Sequence, residues 1–208
     1  MSYTNLLADI NTWIQNQSVE LTAERDQIIT NALTTLTREL PIQPFITAYS
    51  AAFTIGSPTL LRSNLTRPVA IREISYTTAA GSYVKLQQRQ ESYCRAYAPI
   101  ESATGDPKFY YVNRADQWNV TPTPSAALTY TIEYLQRPLL DGTTTTNWLT
   151  ENAYPLLLSA TLEEACRFVQ AVDQRPELLQ QYQAQHQAEL AAVRAMEFKL
   201  EIDAAKIQ

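Results

Sequence analysis

The stretch from Asn147 to Gln208 limits what this chain can fold into more than any other part of it. It opens NWLTENAYPLLLSATLEEACRFVQ, breaks at DQRPE, and runs on in helical periodicity to the C-terminus. Leu156, Leu157, Leu158, Leu162, Ala165, Cys166, Phe168 and Val169 recur at helical spacing over more than one face, and Glu163, Glu164, Arg167 and Gln170 collect on the remaining side. A helix apolar round so much of its girth must be covered by other elements. Pro155 belongs in a first turn, where its missing N–H has no intrahelical partner, so this helix begins within a few residues of Asn152. Pro176 does the same for a second helix, with Asp173 as its cap.

Beyond Pro176, the residues Leu179, Tyr182, His186, Val193, Met196 and Leu200 form a thin apolar thread, interrupted by Glu189 and Asp203. At about 1.5 Å per residue the segment reaches roughly 45 Å, longer than the core of so small a domain needs. Part of it is therefore expected to lie on something else.

The cover for the apolar helix is expected from the N-terminus. Leu6, Leu7, Ile10, Trp13 and Ile14 mark a short amphipathic helix over residues 4–16. Ile28, Ile29, Ala32, Leu33, Leu36 and Leu40 mark a second, which follows the polar joint QSVELTAE and stops at Pro41. Neither is long enough to be stable alone, so both need the C-terminal helix as partner.

Between Gln43 and Thr146 the period changes from 3.6 to 2. Strands are expected from Phe45 to Ile55, over Val69 to Tyr76, and at Tyr83 to Leu86, Phe109 to Val112, Gln117 to Val120 and Leu128 to Tyr134. Val69 and Ile71 share one parity and Ile74 and Tyr76 the other, which predicts a bulge between them. A short helix is expected around Arg89 to Tyr93, and Leu140 to Thr146 is the loop back to the helices. The expected fold class is α+β: a helical bundle made by both chain ends around an antiparallel β-rich insertion. Its parts are 1–42, 43–146 and 147–208.

Chemistry is sparse. The four glycines, Gly56, Gly81, Gly105 and Gly142, are too scattered to form a phosphate cradle, so no nucleotide cofactor is expected. One histidine, His186, and two distant cysteines, Cys94 and Cys166, offer no metal-ligand spacing. Cys166 falls among core positions and His186 reads as half-exposed helix surface, so a Cys–His nucleophilic pair is disfavoured. Glu163 and Glu164, and likewise Glu197 and Glu201, read as solvated helix faces. Asp106 and Asp141 accompany glycines in turns. Twelve tyrosines and three tryptophans fall mostly on packing positions and read as core or subunit interface. No catalytic, cofactor or metal site is expected. With 16 basic and 21 acidic residues the net charge is −5, without the positive stripe that tight nucleic-acid binding uses. No apolar run is long enough to span a membrane, and MSYTNLLADI lacks the pattern of a signal peptide, so synthesis in a reducing cytoplasm is expected.

From Gly105 the chain reads GDPKFYYVNRADQWNVTPTPSAALTYTIEYLQRP and then TNWLTENAYPLLLSATLEEA. This resembles the head-to-tail adaptor, or connector, proteins of tailed bacteriophages, including the podovirus tail tubular protein A type. The positions that carry the resemblance are Gly105, Pro107, Tyr110, Pro122, Pro124, Tyr130, Tyr134, Asn147, Trp148, Leu149, Tyr154 and Pro155. The ending at Arg38, Glu39 and Leu40 is similar to that of the family's second helix. SPTLLR at Ser57 to Arg62 departs from the family's Pro-x-Asp-aromatic turn.

The resemblance implies a structural virion protein at the head–tail junction. Such proteins form a ring, commonly of twelve copies, on the portal protein, extend the channel through which double-stranded DNA passes, and present a surface to the next tail or neck protein. Met196, Leu200, Ile202 and Ile207 are the candidate portal contacts, because their apolar thread lacks an obvious partner within the chain. The competing readings are a small cytoplasmic enzyme using surface carboxylates or Cys166, and an interaction module unrelated to phage.

Overall fold

The structure, a computed structural model, describes residues 1–14, 19–100, 103–114, 117–168 and 176–205, with side chains described outside 19–22, 176 and 197–205. It is α+β and divides into two compact units. One unit comprises residues 1–45 and 137–208, and the other residues 46–136.

The middle unit is built from β1 (Ile46–Ala52), β2 (Thr59–Leu61), β3 (Pro68–Thr77), β4 (Tyr83–Lys85), β5 (Gln87–Gln88), α3 (Glu91–Tyr97), β6 (Thr104–Gly105), β7 (Phe109–Arg114), β8 (Gln117–Thr121), β9 (Thr123–Pro124) and β10 (Thr129–Gln136). One sheet has the order β1-β10-β3-β4 and is antiparallel throughout. A second has the order β2-β8-β7-β5, with only β5 and β7 running parallel. Strands β6 and β9 form a small parallel pair.

Alternation decides which residues line the core of this unit. Along β10, Tyr130, Ile132 and Tyr134 are buried while Thr131 and Glu133 are only partly covered. They meet Ile74 and Tyr76 of β3, Phe53, Leu60, and Trp118 and Val120 of β8 in one cluster. The expected bulge is present: Glu133 pairs with Glu73, but the next residue, Tyr134, pairs with Ile71, leaving Arg72 without an opposite number. That extra residue switches the parity of β3 and lets Ile71 as well as Ile74 meet the core. Gly56 and Gly81 take positive φ values of 75° and 81° in the turns after β1 and β3, where a side chain would be strained.

The helical unit holds α1 (Tyr3–Ile14), α2 (Val19–Glu39), α4 (Trp148–Asn152), α5 (Tyr154–Phe168) and α6 (Pro176–Ala205). Helix α5 packs against α1, α2, α4 and α6. It buries Leu156, Leu157, Leu162, Ala165 and Cys166, and with them the polar Ser159, Thr161 and Glu163. The hydroxyls of Ser159 and Thr161 donate to the carbonyls of Leu156 and Leu157 at 3.0 and 2.7 Å, which satisfies them inside an apolar setting. Leu6 and Ile10 of α1, and Ile29, Leu33 and Leu36 of α2, are fully buried in the same unit.

Several boundaries differ from those expected of the sequence. Helix α2 starts at Val19, so most of the polar joint is helical. Phe45 is not the first residue of β1 but lies in a 3-10 turn, buried edge-on against Trp148 with ring centroids 5.9 Å apart. Strand β1 ends at Ala52, and Ile55 beyond it is exposed. Asp173, read as a helix cap, lies outside the described residues.

Candidate interaction site

The chain enters the helical C-terminal region through a loop that caps itself. Asp141 Oδ1 accepts from the amides of Thr143 and Thr144 at 2.8 and 2.7 Å, and the Tyr3 amide donates to the Thr145 carbonyl at 2.8 Å. Asn147 is then the N-cap of α4, its Oδ1 accepting from the Thr150 amide at 3.1 Å while Thr150 Oγ1 accepts from the Asn147 amide at 2.8 Å. This reciprocal pair satisfies two donors that the helix start leaves without partners. Asn147 Nδ2 also donates to the Leu139 carbonyl at 3.2 Å, fixing the loop to the cap.

Helix α6 is held to this body by polar contacts that the sequence reading placed on the surface. His186 is not half-exposed but 3% accessible, and Glu163 is not on a solvated face but 8% accessible. His186 Nδ1 stands 2.8 Å from Glu163 Oε2, and Nε2 stands 3.1 Å from Glu39 Oε2 at the end of α2. The second approach is too poorly aligned to be a hydrogen bond, which leaves both of its atoms buried without one. Arg167 pairs with Glu163 and with Glu164, and Arg194 donates to the Glu39 carbonyl at 2.6 Å.

The burial of His186 and Glu163 has a physical reason. Tyr182, His186, Leu190 and Val193 recur at helical spacing and are all buried, so His186 lies on the packed stripe of α6. Glu163, four residues before Arg167 on α5, points to that stripe, and burial is tolerated because the Arg167 guanidinium and the His186 ring flank its carboxylate. The signal in the sequence was the place of His186 within the apolar thread; its polarity masked it.

Met196, the next member of the thread, is 42% exposed. Leu200 and Ile202 belong to the backbone of α6, and Ile207 lies outside the described residues. Packing of the thread against the unit is therefore documented through Val193, and a large apolar side chain is open to solvent directly after it.

The positions that carry the family resemblance fall on caps, turns and core. Tyr130 and Tyr134 are buried in β10, and Tyr110 in β7. Gly105 pairs with Pro124 in the small parallel sheet; a Cβ on it would stand 3.5 Å from the Pro122 side chain, and Thr121–Pro122 is a cis peptide. Pro107 is buried. Leu149 is fully buried, and Trp148 packs on Phe45. Tyr154 donates to Asp9 of α1 beside Pro155, which sits in the first turn of α5 as expected.

The middle unit adds an exposed aromatic ledge. Tyr93 and Tyr97 of α3 stand edge-on to Phe109, with centroids at 5.3 and 5.0 Å, and the Arg89 guanidinium lies 5.7 Å from the Tyr93 ring. A polar cavity of about 520 Å³ lies nearby, lined by residues including Arg95, Tyr111, Asn113 and Asn119.

The disfavoured nucleophilic pair finds no support in this geometry. Both nitrogens of His186 face carboxylates, and burial pushes the Cys166 thiol up, away from the thiolate that attacks. Burial pushes the Cys94 thiol up as well. Among the described residues no group of three or more His, Cys, Asp or Glu is arranged to hold a metal ion, and no helix is long and apolar enough to cross a membrane.

The described surface of this α+β chain offers two features for contact: a tethered helix on which Met196 is exposed, and an aromatic ledge on a β-rich unit. The model of the SU10 adaptor protein family matches residues 1–205, and the chain belongs to that family of phage head–tail adaptors. It is accordingly a phage structural adaptor and a virion component. No curated protein matches the chain.

Proposed function

We propose that this chain forms a ring at the head–tail junction, joining the portal protein to the next tail or neck protein and extending the DNA channel, without catalysing a reaction. Family membership over residues 1–205 is the observation that carries this reading. We place the portal contact at the C-terminal end of α6, from Met196 through Leu200 and Ile202 to Ile207. Exposure of Met196 beyond the packed stripe supports that placement. Both chain ends contribute to one compact unit and the β-rich middle to another, which supports a helical bundle carrying a β-insertion, with parts at 1–42, 43–146 and 147–208.

The ring is proposed to contain twelve copies, as the resemblance implies. A net charge of −5 suits a lumen past which DNA slides, because like charge keeps the duplex from adhering to the wall.

Co-sedimentation with purified portal tests the contact. Full-length chain is expected to pellet with portal, and chain truncated after Arg194 to remain in the supernatant while staying folded, its helical circular dichroism reduced only by the residues removed. The truncation spares His186 and Arg194, so α6 stays attached to its own unit. Equal binding by both forms would remove α6 from the interface.

A further inference from the structure

We propose that His186 is a proton-operated latch for α6: its imidazolium form fastens the helix to α2 and α5, and loss of the proton loosens it. The geometry carries this. A neutral imidazole has one N–H, so whichever ring nitrogen bears it, the other turns a lone pair toward a carboxylate. Glu163 faces Nδ1 at 2.8 Å and Glu39 faces Nε2 at 3.1 Å, and only the doubly protonated ring offers a donor to each.

The surrounding groups reinforce the direction. Helix α2 contributes Glu39; α5 contributes Glu163, Glu164 and Arg167, all lining one cavity of about 270 Å³ together with His186. Three carboxylates then face two cations, Arg167 and His186, and removing the proton leaves three against one. Two further groups pack nearby, Tyr182 on α6 and Cys166 on α5, and burial raises the pKa of both, so they stay neutral while the imidazole titrates. Nε2 and Glu39 Oε2 are buried yet not hydrogen-bonded, so the latch has little to spare once its charge is gone. Arg194, two turns along α6, donates to the Glu39 carbonyl and ties the same end of α2. Protons therefore tune how firmly the helix leading to Met196 is held. Only the use of that tuning in docking rests on the adaptor reading; the latch itself is a property of the isolated chain.

The chain has a single histidine, so imidazole nitrogen resonances report the latch without assignment. Those resonances are followed as pH is raised, and their transition marks the point at which the ring loses its proton. Hydrogen exchange of α6 amides, corrected for intrinsic rates, is expected to accelerate at the same midpoint by roughly ten- to a hundredfold, the cost of leaving a buried polar group facing no donor. In Glu39→Gln an amide can match either form of the ring, and the step should shrink to about twofold or less. His186→Gln should abolish it. Flat α6 exchange across the titration would overturn the proposal, as would an undiminished step in Glu39→Gln. Either result leaves portal binding, and so the adaptor reading, untouched.

Discussion

Asn147 shows how one side chain connects loop, cap and core. It closes the capping box with Thr150 and holds the Leu139 carbonyl, while Leu149 within the capped helix is fully buried. Asn147→Ala is expected to cost about 1 kcal/mol, measured by urea unfolding followed by circular dichroism. A change below the error of the measurement would mean that the cap is dispensable. The cysteines make a second prediction at this scale. Burial raises both thiols, so Cys94 and Cys166 should resist alkylation in the native chain and react only on unfolding. Rapid labelling of the native chain near neutral pH would contradict the burial.

At the scale of elements, α5 is the one on which the helical unit depends. Leu156 and Leu157 are fully closed to solvent, so Leu156→Ala should destabilise the chain by about 2–5 kcal/mol, read from the same unfolding experiment. An effect under about 0.5 kcal/mol, the range of ordinary surface changes, would show that α5 is not a core helix. This helix was legible in the sequence because Leu156, Leu162, Ala165 and Cys166 recur at helical period behind a proline that suits only a first turn. Strand β10 and the β3 bulge were legible for the same reason, since parity is a property of the chain itself. The start of α2 was not, because VELTAE shows no run of apolar residues at helical spacing to mark it. His186 and Glu163 were missed for a different reason: burial of an ionisable group depends on the partners that meet it, and Glu39 lies at 147 positions' remove in sequence from His186 (186 minus 39). Periodicity reports which face packs; it carries no information about compensating charge on another helix.

Over the whole molecule, ionisation of tyrosines sets an alkaline limit. Burial is the first cause raising the phenols of Tyr3, Tyr76, Tyr110, Tyr130, Tyr154 and Tyr182, which span both units; Tyr3, also bonded to Asp26, is pushed up to about 12. The unfolded chain releases these protons near pH 10 while the native chain holds them. Their stabilising contribution is therefore complete below about pH 10 and is lost as pH rises through the folded values. Loss of circular dichroism should coincide with the phenolate absorbance of these six rings. Ionisation of more than six of the twelve tyrosines near pH 10 in a chain still fully folded would contradict their burial.

The same scale holds the proposed function, that a member of this adaptor family whose α6 exposes Met196 joins portal to tail. Imaging of intact particles tests it most directly: density for this chain is expected as a ring at the collar beneath the portal, with α6 directed at the portal surface. Density for the chain anywhere other than that junction would contradict it.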